Sequence, residues 1–573
     1  MSSCTYASLH TCGSCNSIPS GVLWLTNRHP ESAASGQEEE EEHVVVFAVH
    51  NLIAVADVRT SSIVCTLKAQ SGVITSLSSC YLRKSIAVVA ASEDGGILVW
   101  KHRYSSSLTE WTLVEQQLTG LLGAVSSSSS CSLQSTTDAF VVAAADFKGS
   151  LLVWHISGSD TDEEPPSTSI QIISKIKFPS AQMAKSIHIC ELPTGDSRSP
   201  PCLTIFIGSV DSRIHIYVAK DGIHLPTNCS SSSSPTEVPS HLELFSCVGI
   251  LPGHEEWVAC LATVAIDSRT TMLASGSQDA KIRVWKIKAT KVLDRQGSSS
   301  YGSSLLEQVP AFEDDDDETD GEQSADLPAA ALTADDDNNT DESRLQFCYS
   351  DDTLYSLYLE SLLVGHEDWV TALQWMLPVS PTQSGSSPSS SSVAQQLRLF
   401  STSMDRNMVM WAPDAAAGGV WTPVVRMGDI GGALGGSIGG NLLGFVAGSI
   451  SPDCSSVLGV GYGGSFHLWR SIDSSDHSDI PDTTATERRW MPVPFLTGHF
   501  GSVNDLTWSD REVGEYLVSV SSDQTCRLHA PLVDGGAWRE ISRPQIHGYD
   551  LNCVAKVCYS MLCYAMLFMH TVI

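Results

Sequence analysis

The chain reads as an all-β repeat protein, and three observations predict it. A ten-residue string recurs along the sequence, apolar residues alternate inside that string, and no comparably long helical pattern competes with it. The string occurs as ASEDGGILVW (Ala91–Trp100), GSVDSRIHIY (Gly208–Tyr217), GSQDAKIRVW (Gly276–Trp285), TSMDRNMVMW (Thr402–Trp411) and VSSDQTCRLH (Val520–His529). Its Asp (Asp94, Asp211, Asp279, Asp405, Asp523) always stands six positions before the last residue. Two weaker copies, AADFKGSLLVW (Ala144–Trp154) and VGYGGSFHLW (Val460–Trp469), keep the strand ending but carry Lys148 and Gly463 at the Asp position. Between turn and terminal aromatic, pairs such as Ile282 with Val284 or Ile214 with Ile216 give the period-2 signal of a half-buried strand.

Upstream of several copies stands a Gly-His pair: Gly253-His254, Gly365-His366 and Gly498-His499. Together the strings resemble WD repeats, whose four-stranded blades close into a β-propeller. The resemblance implies a hydrogen-bonded network in each blade, joining the Gly-His histidine, a Ser on the second strand, the turn Asp and the terminal aromatic. His254, Ser275, Asp279 and Trp285 fit that set, as do His366, Ser401, Asp405 and Trp411. His499, Ser519 and Asp523 fit again, with His529 in place of the Trp. A His, a Ser and an Asp are also the makings of a catalytic triad. Repetition favours the structural role, because an enzyme needs one such site whereas every blade needs its turn held.

Units close near Leu67, Leu118, Phe178, Leu251, Val364, Met427 and Leu496, the first beginning around Gly21–Leu25 with its middle strand at Asn51–Val58. The expectation is a WD40 seven-bladed β-propeller over residues 21–500 after an N-terminal segment 1–20. Residues 501–554 then form the first blade of a second, incomplete propeller, and 555–573 an atypical apolar tail. Polar stretches at Ser126–Ser130, Asn228–Ser240, Ala289–Ser350 and Ser380–Ser392 read as loop insertions, which cost little closure entropy.

Charge sharpens this division. The 573 residues carry 33 Lys and Arg against 65 Asp and Glu, a net charge of −32. Five acids lie at Glu38 to Glu42, four at Asp160, Asp162, Glu163 and Glu164, and fourteen between Glu313 and Glu342. These runs are too polar to bury a core and read as solvated loops. Without them the balance is near −9, which argues against a protein held to nucleic acid by phosphate contacts alone. The seventeen Cys are scattered and read as reduced thiols of the cytoplasm, and also of the nucleus. Cys12 and Cys15 form a C-x-x-C pair with no second pair to complete a tetrahedral zinc site, so no metal or cofactor is expected.

Longer strings narrow the resemblance. GHEEWVACL (Gly253–Leu261), GHEDWVTALQW (Gly365–Trp375), SMDRNMVMWAPD (Ser403–Asp414), GVWTPVVRMGDIGG (Gly419–Gly432), SSDQTCRLHAPL (Ser521–Leu532) and SRPQIHGYDLNCV (Ser542–Val554) resemble the Elongator subunit 2 family. The likeness runs from about Gly21 to Val554 and is strongest after Leu251. It implies a non-catalytic tandem-propeller scaffold of the six-subunit Elongator, which modifies the wobble uridine of certain tRNAs. The implied partners are the large first subunit and the catalytic third, a radical-SAM and acetyltransferase-like protein. A scaffold of another assembly, such as a ubiquitin ligase or vesicle coat, is the alternative, and an enzyme is the third class. No G-x-x-x-x-G-K-[ST] phosphate loop is present, and Gly428–Gly444 lacks the residues to grip phosphate and reads as a loop.

Arg543, Gln545, His547, Tyr549 and Asp550 lie outside the repeat pattern and form the candidate partner-binding string. Direct tRNA contact is expected to be weak or indirect, through Arg511, Arg527, Arg539 and Arg543 if at all. The largely apolar run from Val557 to Ile573 reads as an aberrant end of a truncated chain, with a membrane anchor as the alternative.

Overall fold

The computed structural model describes residues 15–16, 18–26, 43–68, 72–104, 106–114, 118, 120–121, 123–133, 139–158, 168–178, 183–195, 199–219, 244–291, 345–350, 353–376, 396–414, 419–428, 444–462, 464–472, 489–493, 495–496, 498–499, 503–508, 516–531, 538–546 and 548–554. Among these the fold is all-β, and the strands assemble into eight antiparallel sheets. The class is that of a β-propeller. In most sheets the strands lie side by side in chain order, as in the first: Val22–Thr26, His43–Val49, Leu52–Asp57 and Ser62–Lys68. Such meanders need only short turns, since each strand pairs with the one just made.

Each of the first seven sheets lays a face on its neighbours, and this explains the composition of the second strands. Ser85–Ser92, Ala139–Asp146, Cys202–Ser209 and Thr270–Ser277 are buried at every position. A strand covered on both faces reads as a run of small and apolar residues instead of an alternation. The alternation expected for third strands holds in Lys281–Lys291 but fails in Ile214–Ala219, which is buried throughout.

The first strand of each sheet runs along its neighbours: Ile74–Tyr81 against Val125–Ser132, that strand against Ala184–Leu192, and so on through Val258–Ala265, Val370–Met376 and Phe445–Ile450. Phe445–Ile450 packs back on Val22–Thr26, so the seventh sheet meets the first. Val45, Phe47, Ala54 and Ala56 share one core with Val446, Ala447, Leu458 and Val460, and the Cys15 amide donates to the Gly464 carbonyl at 3.1 Å. The eighth sheet, Val503–Trp508, Leu517–Ser521, Thr525–Pro531 and Trp538–Ile546, has a core of only Val520, Cys526 and Leu551 among the described residues.

Two insertion readings need correction. Ser126–Ser130 is no loop but part of the innermost strand Val125–Ser132. Three of its hydroxyls find partners on neighbouring inner strands: Ser128 Oγ lies 2.8 Å from Ser76 Oγ, and the Ile187 and Ile189 amides donate to Ser127 and Ser129 at 3.2 Å each. Inner strands converge, so small side chains fit and these three hydroxyls are satisfied across strands. The second correction concerns Ala289–Ser350, whose ends are strands. Lys281–Lys291 runs through its start, and Leu345–Ser350 adds a fifth strand to the fifth sheet by pairing with Thr353–Val364. The stretches Asn228–Ser240 and Ser380–Ser392, the three acidic runs and the tail from residue 555 lie outside the described residues, as do most of Gly428–Gly444 and all of the N-terminal segment before residue 15.

The closest approach between sheets falls at glycines. A Cβ at Gly208 would lie 2.7 Å from both Val258 Cγ1 and the Val258 carbonyl oxygen, and would strike the Ser186 hydroxyl. Gly208→Ala is therefore expected to overpack the seam between the fourth and fifth sheets and cost about 1–3 kcal/mol. A lowered midpoint in urea unfolding, with the slope unchanged, is the expected readout.

Candidate functional site

The repeated residues meet at one end of each sheet. In the fifth, His254 sits in the segment entering the sheet, Ser275 on the second strand, Asp279 in the turn after it and Trp285 on the third strand. His254 Nδ1 lies 2.9 Å from Asp279 Oδ2, and its Nε2 lies 2.9 Å from Ser275 Oγ. Trp285 Nε1 donates to the same Ser275 oxygen at 3.1 Å. Asp279 Oδ1 accepts the Lys281 amide at 2.9 Å, which pins the turn, and Oδ2 accepts the Glu255 amide at 3.1 Å.

The sixth sheet repeats the set. His366 is 2.8 Å from both Asp405 Oδ2 and Ser401 Oγ, and Trp411 Nε1 donates to Ser401 at 2.8 Å. In the eighth, His499 lies 2.9 Å from Asp523 Oδ2 and 2.8 Å from Ser519 Oγ, while His529 Nε2 takes the Trp position 3.2 Å from Ser519 Oγ. All eleven named residues thus fall into three local networks. In the two that carry a Trp, the buried Ser hydroxyl meets both the His and the Trp.

The turn itself explains why a carboxylate is needed. The residue after the Asp takes a left-handed conformation: Ser212 (φ 66°), Ala280 (φ 63°), Arg406 (φ 67°) and Gln524 (φ 64°). That conformation costs a non-glycine residue roughly 1–2 kcal/mol, which the hydrogen bonds of the Asp offset.

Two variations escaped the sequence pattern. In the third sheet Asp146, two places before Lys148, accepts the Lys148 and Ser150 amides at 2.9 Å each and so performs the turn role. In the fourth, Asp211 takes its histidine from the third strand, with His215 Nε2 2.9 Å away. Both were legible in principle: an Asp two residues before Lys148, and a His four residues after Asp211 on the same string. Gly463, the remaining odd position, lies outside the described residues.

Burial pushes the Asp279 carboxyl up, but hydrogen bonding and charge from His254, with the Glu255 and Lys281 amides, pull it down further, to about 2. Asp405 and Asp211 are likewise held below the usual carboxylate range, by His366 and His215 against the effect of burial. Since the folded value is depressed, the stability it contributes is present above the unfolded value of about 4 and is lost as pH falls toward 2. Asp279→Asn is expected to cost about 1–3 kcal/mol at neutral pH and to flatten the acid limb. Urea midpoints measured from pH 6 to pH 2.5 check both.

The candidate partner string divides. Ser542–Ile546 belongs to the outer strand of the eighth sheet, a strand with neither turn Asp nor terminal aromatic to mark it. Arg543 is exposed, but its Nε pairs with Glu540 at 2.5 Å. Tyr549, 63% exposed, and Asp550 face solvent. The Gln545 side chain and His547 lie outside the described residues, as do Arg511 and the Arg539 side chain. Arg527, considered for tRNA contact, is buried, with Glu540 at 2.7 Å and Asp523 at 3.6 Å, so it cannot reach a phosphate. Arg527→Ala leaves Glu540 with Arg543 and Asp523 with His499 as their remaining partners, and is expected to destabilise the eighth sheet by about 1–3 kcal/mol. Faster amide exchange across Leu517–Ser521 would register it.

Elsewhere, a cavity of about 210 Å³ lies where the first and seventh sheets meet, lined by residues including Trp24, His43, Arg59, Asp453 and Arg470. Among the described residues no group of three or more His, Cys, Asp or Glu is placed to hold a metal, and no helix is long and apolar enough to cross a membrane. Cys15 is buried, and burial raises its thiol to about 12.

Comparison with known proteins agrees with the geometry. The family described as WD domain, G-beta repeat matches residues 245–286 and 490–529. Each match begins on the outer strand of one sheet and ends on the third strand of the next. Over 567 residues the chain is 27% identical to Elongator complex protein 2 of Arabidopsis thaliana, covering 95% of this chain and 55% of the relative. With the Drosophila melanogaster protein of that name it is 34% identical over 308 residues, 53% of this chain and 30% of the relative. With the Homo sapiens protein it is 30% identical over 357 residues, 61% and 32% respectively. The chain therefore spans about a third to a half of the length of these relatives.

Proposed function

From the premise that this chain is a WD-repeat protein related to Elongator complex protein 2, we propose that it is a non-catalytic scaffold of the Elongator complex. Its finer role is to bind the large first subunit and the catalytic third subunit and so support modification of the tRNA wobble uridine. The observation that carries this reading is the repeated His–Ser–Asp network. It spends the residues that most resemble catalytic machinery on holding turns, and leaves the loops at the ends of the sheets free for recognition. The relatives' shared name supports membership of a multi-subunit complex.

The reading includes a division of the chain, with a ring built from residues 21–500 and a further unit in 501–554. It places the protein in the cytoplasm, and also in the nucleus, where the fluorescence of a tagged chain would report it. Contact with tRNA is weak or indirect, in keeping with the mildly acidic balance outside the acidic runs.

A tagged copy of the chain is expected to recover the first and third Elongator subunits from a cell lysate. Recovery of neither sinks the scaffold reading, and recovery of ubiquitin-ligase or coat subunits in their place establishes the alternative.

A further inference from the structure

Two successive sheets are entered by nearly the same string, Gly253–Val258 (GHEEWV) and Gly365–Val370 (GHEDWV). In both the Trp is exposed, Trp257 by 39% and Trp369 by 48%. Both stand just before an inner strand, and both are fixed through their backbone. The Gln278 amide donates to the Trp257 carbonyl at 3.0 Å, and the Met404 amide to the Trp369 carbonyl at 2.9 Å. Two large apolar rings are thus held at equivalent places facing water.

They differ in what covers them. Lys185 Nζ lies 5.7 Å from the centroid of the Trp257 ring, within cation–π range. Lys185 is the bulge residue of the preceding sheet's inner strand, where the register skips between Ala184 and Ser186. The same skip occurs between Val258 and Cys260, so the residue corresponding to Lys185 for Trp369 is Ala259. Alanine has no cation to offer, and none is placed over the Trp369 ring among the described residues. Carboxylates gather instead. Glu367 and Asp368 immediately precede Trp369 and Glu256 precedes Trp257; all three are exposed, whereas Glu255 is already paired with Lys281 at 2.6 Å.

We propose that the Trp369 indole, with the carboxylates of Glu367 and Asp368 beside it in the chain, is a docking point for a Lys or Arg side chain of a protein partner. The cation takes over Trp369 the place that Lys185 takes over Trp257, and the carboxylates supply the complementary field. The assignment rests on the scaffold reading for its biological setting and adds to it the chemistry of one contact.

The test is fluorescence anisotropy of the full chain with a labelled hexapeptide carrying two arginines, beside the same peptide with citrulline in their place. The arginine peptide binds and the citrulline peptide binds at least about fivefold more weakly. Trp369→Ala and Ala259→Lys each weaken the arginine peptide by a similar factor, the second by supplying an internal ammonium. Lys185→Ala strengthens binding by uncovering Trp257. Thermal unfolding checks that each variant folds, and Lys185→Ala keeps the test decisive if the other two do not. Equal binding of both peptides, no change in Trp369→Ala and Ala259→Lys, or no gain in Lys185→Ala overturns the proposal. Loss of peptide binding with the Elongator subunits still recovered refutes the docking point alone. Peptide binding without their recovery refutes the scaffold reading alone.

Discussion

A carboxylate that accepts the backbone amide two residues further along is the interaction on which the rest of this structure depends. Asp94, Asp146, Asp211, Asp279, Asp405 and Asp523 all make it, at the same turn of six different sheets. Four of those turns contain a left-handed residue that is not glycine, so the turn does not hold by intrinsic preference. What varies is how the carboxylate is itself kept in place. The incoming segment supplies a histidine in three sheets, the third strand supplies one in the fourth, and Ser92 stands beside Asp94 in the second. Because the segment entering a sheet and the turn inside it are tied through one histidine in the fifth, sixth and eighth sheets, these three are locked to the chain that leads in from the last. The two exposed tryptophans inherit their fixed position from this lock.

Much of this was written in the sequence, because the network needs particular residue types at fixed spacing. The turn Asp, the Gly-His pair and the terminal Trp were all legible for that reason. Ser126–Ser130 was not, since a run of serines has the composition of a loop and only its neighbours reveal it as a strand. Its Ser127, Ser128 and Ser129 hydroxyls are satisfied by Ile187, Ser76 and Ile189, residues up to 60 positions away, and no local pattern encodes such a contact. Outer strands fail for the opposite reason. Ser542–Ile546 pairs by backbone along one edge and carries few side-chain requirements, so it looked like a string outside the repeat. Arg527 looked like a free basic residue, but it lies at the strand position that His215 occupies in the fourth sheet, buried beside the turn carboxylate.

The same logic separates structural from functional chemistry. A His–Asp pair with a Ser on the other ring nitrogen is arranged as a triad would be, but the Ser oxygen also takes the Trp indole N–H in the fifth and sixth sheets and faces the His529 imidazole in the eighth. Each of these Ser side chains is buried within its own network. A few large apolar side chains break the burial rule that the core follows. Trp257 and Trp369 are large apolar side chains left exposed, whereas Trp154, Trp285 and Trp411 are buried.

The acidic composition enters this surface only locally. The chain leaves the fifth sheet for its longest acidic insertion after Lys291, the far end of the strand Lys281–Lys291. Lys281 sits beside Asp279 and the entry turn of Trp257, so the strand's length, roughly 35 Å at about 3.3 Å per residue, separates the two ends. That span exceeds the screening length of about 8 Å at physiological salt several times over. The departure point of the insertion is therefore electrically remote from the tryptophan turns. At those turns the GHEEWV and GHEDWV strings carry their own carboxylates, and a cation approaching Trp369 meets Glu367 and Asp368.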